Sequence, residues 1–280
     1  MRGGGLDFIG EFIGTFLMIL FGLGAGAVTL LFGAHSGLFQ IAILWGFGVT
    51  IAVYATRHLS NAHFNPAVSI AMVVGRRMPA SMLPVYLAGQ FLGAFAAAAL
   101  LYLLLGDSIA QFEALHHIVR GAPESVKTAM MFGEFYPSPG AAPVAVVSQG
   151  TAFLAEAVGT CVLVFLVFSL TEGCNVGRPD DALAPLFIGL VVALLISFIA
   201  PITQAGFNPA RDLAPRVFSM LAGWGRAALP DASGGFLTVY VLAPICGGAV
   251  AALFFSRVIA PLMHRKNAGL AAGAAEREPR

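Results

Sequence analysis

The chain has 280 residues, of which 58% are hydrophobic and 10% charged, with a net charge of +1 and a mean hydropathy of +0.86. A soluble domain carries about 25% charged residues, so this composition excludes one and identifies a helical integral membrane protein. The balanced charge gives no reason to expect nucleic acid, and the first partner it implies is the lipid bilayer.

Six segments are long enough to cross a bilayer, at about 6–31, 39–57, 82–105, 150–171, 183–203 and 236–260. The first carries Glu11 and runs past twenty residues, so it reads as a retained span with no cleavable signal peptide. After the second and fifth spans come His63-Phe64-Asn65-Pro66-Ala67-Val68 and Gly206-Phe207-Asn208-Pro209-Ala210-Arg211-Asp212. Asparagine is a favoured N-cap and proline suits the first helical turn. Each triplet therefore predicts the start of a short helix, over about 66–75 and 209–219, too short to span. A helix start at membrane depth is tolerated where it lines a polar cavity. Two such interruptions at matching places in two halves point to a site at the midplane. Residues 106–148 form a polar connection with Gly106, Pro123, Pro137, Pro139 and Pro143, and 262–280 form an Ala/Gly/charged tail expected to be mobile. Cys161, Cys174 and Cys246 lie in or beside apolar segments and suggest no disulfide framework.

The chain repeats itself. Glu11-Phe-Ile-Gly14-Thr15 matches Glu156-Ala-Val-Gly159-Thr160, and Gly93-Ala94 answers Gly247-Gly248. One membrane domain over 1–261 then contains halves at about 6–105 and 150–260. Three spans plus a half-helix per half give an inverted repeat, with the half-helices meeting tip to tip. With both termini cytoplasmic, Arg2, Arg57, Arg76, Arg77, Arg178, Arg257, Arg265, Lys266, Arg277 and Arg280 lie inside. Arg120, Lys127, Arg211, Arg216 and Arg226 are then on the outer side, Arg211 being expected inside a pore, with the 106–148 connection external.

Several residues have two readings. Asn65 and Asn208 cap their helices, and their amide N–H groups can also serve a passing hydroxyl. Arg211, at membrane depth, either faces a watery pore or pairs with Asp212; adjacent helical residues do not face one another, which favours the pore. A cation there repels cations and donates to hydroxyls. Glu11 and Glu156 are either proton-relay groups of a coupled secondary transporter or scaffold acceptors for the backbone N–H groups of the re-entrant loops; their symmetry favours scaffold. His116 and His117 lack further ligands at metal spacing and read as surface residues. The dense small residues, such as Gly10, Gly14 and Ala96 to Ala99, serve close helix packing. No nucleophile–base pair or metal cluster suggests an enzyme.

The two Asn-Pro-Ala triplets, the Glu-x-x-Gly-Thr repeats and the six-plus-two pattern resemble the aquaporin, or major intrinsic protein, family over about residues 6–260. Within it, Trp45-Gly46-Phe47-Gly48-Val49, Ala62-His63-Phe64-Asn65-Pro66-Ala67-Val68, His116-His117-Ile118-Val119-Arg120-Gly121 and Leu183-Ala184-Pro185-Leu186-Phe187-Ile188-Gly189-Leu190 resemble the bacterial glycerol facilitators. Asp212 and Arg216 are similar to the glycerol-conducting branch, where water-selective members usually have a small residue at the Asp212 position. The resemblance implies an all-α fold of six transmembrane helices and two re-entrant half-helices in a bundle, with Asp212 beside Glu11 and Glu156 as scaffold.

The resemblance also places a four-residue selectivity filter on Trp45, Ile196, Ala205 and Arg211. Water-selective channels have histidine where Ile196 stands, and the best-known glycerol facilitators have glycine there and phenylalanine at Ala205. This ring, with Tyr240-Val241, resembles instead the plant nodulin-26-like branch, whose members also pass metalloid acids, ammonia or lactic acid. By resemblance, the backbone carbonyls of Asn61, Ala62, His63, Phe64, Gln204, Ala205, Gly206 and Phe207 bind hydroxyls. The expected function is passive passage of glycerol and other small uncharged solutes with some water, excluding protons and ions. The expected setting is a homotetramer in a bacterial inner membrane, without cofactor, metal or catalysis.

Overall fold

The computed structural model describes residues 3–139, 144, 146–230 and 234–275. Arg2, Pro143, Arg277 and Arg280, named above, lie outside them. The first half contains α1 (Gly3–Phe32), α2 (Leu38–Thr56), the half-helix α3 (Pro66–Val74) and α4 (Leu83–Leu115). After a single helical turn, α5 (Val126–Ala129), the second half contains α6 (Gln149–Thr171), α7 (Ala184–Thr203), the half-helix α8 (Pro209–Ser219) and a last span over Gly235–Leu270. Six helices are long and apolar enough to cross a membrane, and no strand occurs among the described residues. The fold is all-α, as expected.

The packing repeats as the sequence does. α1 lies on α4 as α6 lies on the last span; α3 lies on the last span as α8 lies on α4; α2 meets its counterpart α7. Exchanging the halves maps this set of contacts onto itself. Small residues set the distances. A Cβ on Gly93 would stand 2.4 Å from the Phe12 carbonyl oxygen, and one on Gly247 2.0 Å from that of Ala157. Phe12 and Ala157 each follow the repeated glutamate, so the same close crossing is built twice. Gly46 and Gly189 allow the third, between α2 and α7. Large apolar side chains such as Leu103, Leu154, Leu194 and Phe198 stay exposed, as lipid-facing residues do.

Two boundaries differ from expectation. The third span runs beyond Gly106 to Leu115, into the segment read as a polar connection. Glycine inside a helix costs only about 1 kcal/mol, and here the extra turns bury Ile109 and Glu113. The Glu113 carboxylate accepts from Arg120 (2.8 Å) and Thr128 (2.7 Å), which folds the connection back on the bundle. The tail, expected to be mobile, continues the last span as helix to Ala275, and Asn267 Nδ2 donates to the Cys174 carbonyl at 2.8 Å.

Candidate pore and its constriction

Both triplets begin helices as their residues predict. Asn65 Oδ1 accepts from Ala67 N–H (2.9 Å); Asn208 Oδ1 accepts from Ala210 N–H (3.0 Å) and Arg211 N–H (3.1 Å), with Pro66 and Pro209 opening the helices. The amide donors need one change from expectation. Asn65 Nδ2 donates to the Phe207 carbonyl and Asn208 Nδ2 to that of Phe64, each at 2.8 Å. One N–H of each asparagine thus ties the two loops together, leaving its second for the adjoining cavity. Ahead of the triplets, Ala62, Phe64, Gln204, Ala205 and Phe207 have φ between 52° and 63°. Left-handed backbone costs a non-glycine residue roughly 1–2 kcal/mol, a strain that persists only where surrounding structure holds it.

What holds it is the repeated glutamate. The fully buried Glu11 accepts from Ser60 Oγ (2.8 Å), His63 N–H (2.9 Å), Phe64 N–H (2.8 Å) and Gln90 Nε2 (2.7 Å). Glu156, equally buried, accepts from Thr203 Oγ1, Gly206 N–H and Phe207 N–H between 2.6 and 2.9 Å. Gly14 and Gly159, three residues on, leave room for the Phe64 and Phe207 rings, which a Cβ would meet at 2.0 and 2.1 Å. Every Glu-x-x-Gly pair therefore supports one loop: the acid takes its N–H groups and the glycine admits its phenylalanine. Replacement by Gln keeps part of this bonding. Glu11→Gln and Glu156→Gln are expected to retain solute flux, whereas either Ala variant loses several buried partners at about 1–3 kcal/mol each and gives a lower yield of folded protein. Flux abolished at normal yield in both Gln variants would point to proton relay.

Two cavities meet at one ring. The first, about 320 Å³, runs from Arg57, Thr171 and Asp181 to both asparagines and is bordered by all eight loop residues expected to present carbonyls, 61–64 and 204–207. The second, about 770 Å³, opens on the side of the 106–148 connection. Trp45, Ile196, Gln204 and Arg211 border both. Three of the four residues placed in the ring by resemblance thus come together, whereas Ala205 borders the first cavity only. The Arg211 guanidinium lies 4.4 Å from the Trp45 ring centroid, a cation–π contact.

The sequence reading missed the partner of Arg211. It is Glu134, buried in the connection, whose carboxylate pairs with Arg211 Nη2. The available signal was an acid set within Met130-Met131-Phe132-Gly133-Glu134-Phe135-Tyr136, an apolar stretch that predicts burial. Nη1 of Arg211 is buried without a protein hydrogen-bond partner among the described residues, at a residue bordering both cavities. Asp212 faces Arg216 instead: the fully buried Arg216 donates from Nε to Asp212 Oδ2 (2.9 Å) and from the other nitrogens to Asp212 Oδ1 and the carbonyls of Glu134 and Ala228. Asp212 Oδ1 accepts from Glu134 N–H at 2.8 Å. Asp212 thus contacts Glu134, the residue that pairs with Arg211. Gln204 helps from the other loop, its Oε1 accepting from Phe135 N–H at 2.8 Å. His116 and His117 are exposed on the surface.

A bundle of six apolar helices, with two capped half-helices meeting end to end between two cavities, defines a membrane channel built from an inverted repeat. The chain belongs to the major intrinsic protein family, whose profile matches residues 6–255. It is 42% identical to the glycerol uptake facilitator protein of Haemophilus influenzae over 255 residues, covering 90% of this chain and 92% of that one. It is 40% identical to that of Pseudomonas aeruginosa, covering 97% and 93%. Against the propanediol uptake facilitator of Salmonella typhimurium the identity is 38%, covering 88% and 90%. Among solved structures, the aquaglyceroporin from Plasmodium falciparum superposes with a TM-score of 0.80 at 26% identity, over 93% of this chain and 99% of that one.

Proposed function

We propose that this protein is a passive channel for glycerol and other small uncharged polyols, with some water permeability. The observation that carries this reading is the ring shared by the two cavities. Trp45 and Ile196 offer an apolar wall to CH groups, while Arg211 Nη1 is a free donor for hydroxyls. The relatives, named for glycerol and propanediol uptake, support it and do not favour the nodulin-26-like alternative. Selectivity resides in Trp45, Ile196 and Arg211, with Gln204 as a further member and Ala205 just inside; the loop carbonyls continue the hydrogen-bonding track.

Protons and ions are excluded by Arg211 and by the two half-helix N-termini, whose positive dipole ends face the midplane. The channel performs no catalysis and needs no cofactor or metal to conduct. The basic residues support cytoplasmic termini with the 106–148 connection outside, and the bacterial relatives support a bacterial inner membrane. Family resemblance supports a homotetramer with one pore per subunit. The test is light scattering from proteoliposomes after rapid mixing with glycerol, urea or an impermeant sugar, which reports on each solute and on water. Rapid glycerol entry, well above protein-free vesicles, is expected; water flux without glycerol flux would contradict the reading.

A further inference from the structure

One cluster lies outside the pore. Glu172 and Cys174 follow the end of α6, and His264 sits on the helical extension of the last span. A carboxylate oxygen of Glu172, the sulfur of Cys174 and a ring nitrogen of His264 all lie within 4.8 Å of one another. In a tetrahedral zinc site the bond lengths are about 2.0–2.3 Å, which places ligand atoms roughly 3.3–3.8 Å apart. Small side-chain rotations bring the three atoms to that separation.

The surroundings position Glu172, which a bound ion would share with the Arg77 cation. Glu172 Oε2 pairs with Arg77, whose guanidinium is fixed 4.1 Å from the Phe168 ring centroid. Glu172 Oε1 faces Cys174, accepting its backbone N–H at 3.4 Å. The carboxylate is thus held by one oxygen and offers the other. Asn267, one turn after His264, donates to the Cys174 carbonyl and fixes the extension against the loop. His264 is exposed, so water can take a fourth position. The chemistry of the set is specific: thiolate and imidazole select zinc-like ions over magnesium or calcium, which prefer all-oxygen sites.

We propose that Glu172, Cys174 and His264 bind one divalent transition-metal ion of the zinc type, clamping the C-terminal helical extension to the loop after α6. The metal binds the thiolate, so binding releases the Cys174 thiol proton to solvent and affinity falls as pH falls. Thr171, the residue before Glu172, borders the first cavity and accepts from Arg77 Nη1 at 3.4 Å, so the clamp adjoins that mouth of the pore.

The test uses the full chain in detergent, freed of metal with a chelator and titrated with Zn²⁺ against a chromophoric competitor. One site per chain is expected, weakened at least about tenfold in C174S and in H264A. With Co²⁺ in place of Zn²⁺, wild type is expected to show a near-ultraviolet sulfur-to-cobalt charge-transfer band that C174S lacks. The band reports on the thiolate ligand whatever the other histidines bind. Absence of a stoichiometric site in wild type, the same affinity in both variants, or Co²⁺ binding without the band would overturn the proposal.

Discussion

Ile196→His is expected to lower the glycerol permeability of proteoliposomes by about tenfold or more, with water permeability falling by less than half; tenfold corresponds to about 1.4 kcal/mol on the barrier. Ile196 borders both cavities with Trp45 and Arg211, where the path is shared. Its side chain offers a solute carbon surface and no hydrogen bond. Histidine would put a polar group there and remove the apolar wall that matches CH groups. Water is smaller and loses less. Ile196→Gly removes bulk at the same place and is expected to leave glycerol flux unchanged or raised. Swelling of vesicles with matched amounts of protein separates the outcomes: equal fractional loss of both fluxes in Ile196→His would mean that the residue does not line the narrowest ring.

The second large effect is on stability. Arg216→Leu removes a fully buried guanidinium that serves both oxygens of Asp212 and the carbonyls of Glu134 and Ala228. Breaking a buried ion pair from one side costs roughly 3–5 kcal/mol, and here Asp212 is itself fully buried. Arg216→Leu is expected to show markedly reduced folded yield and a lower unfolding temperature in detergent. Arg216→Lys restores charge without the planar fork and should fall between. Opening Arg178–Asp181, a pair whose carboxylate is in solvent, should leave stability almost unchanged. An unfolding temperature in Arg216→Leu equal to wild type would show that the network contributes little. Because Glu134 is held through Asp212 and Arg216, surviving Arg216→Leu channels should also lose selectivity at Arg211.

The parts of this site legible in the sequence are those the chain states twice. Asn-Pro-Ala predicts a capped helix start from local chemistry alone, and the recurrence of Glu-x-x-Gly-Thr ties Glu11 and Glu156 to the two loops. The spans were legible because twenty apolar residues have few other uses. Glu134 was not: its partners are at Arg211 and Asp212, and nothing near it in sequence repeats in the other half. Gln204 read as one of several carbonyl acceptors because its left-handed backbone, which directs the side chain to Phe135, depends on the folded loop. The continuation of α4 past Gly106 was hidden for a related reason, since Glu113 is polar in sequence yet buried by Arg120 and Thr128.

A coupled transporter built from the same inverted repeat would use charged residues in its spans to drive accumulation. Glu11 and Glu156 are saturated by backbone and side-chain donors instead. The most direct measurement is therefore uptake of labelled glycerol into proteoliposomes with and without an imposed proton gradient. A passive channel equilibrates glycerol rapidly to the external concentration, at a rate and to an end point that the gradient leaves unchanged. Glycerol accumulated above the external concentration when the gradient is applied, or entry no faster than in protein-free vesicles, would contradict it.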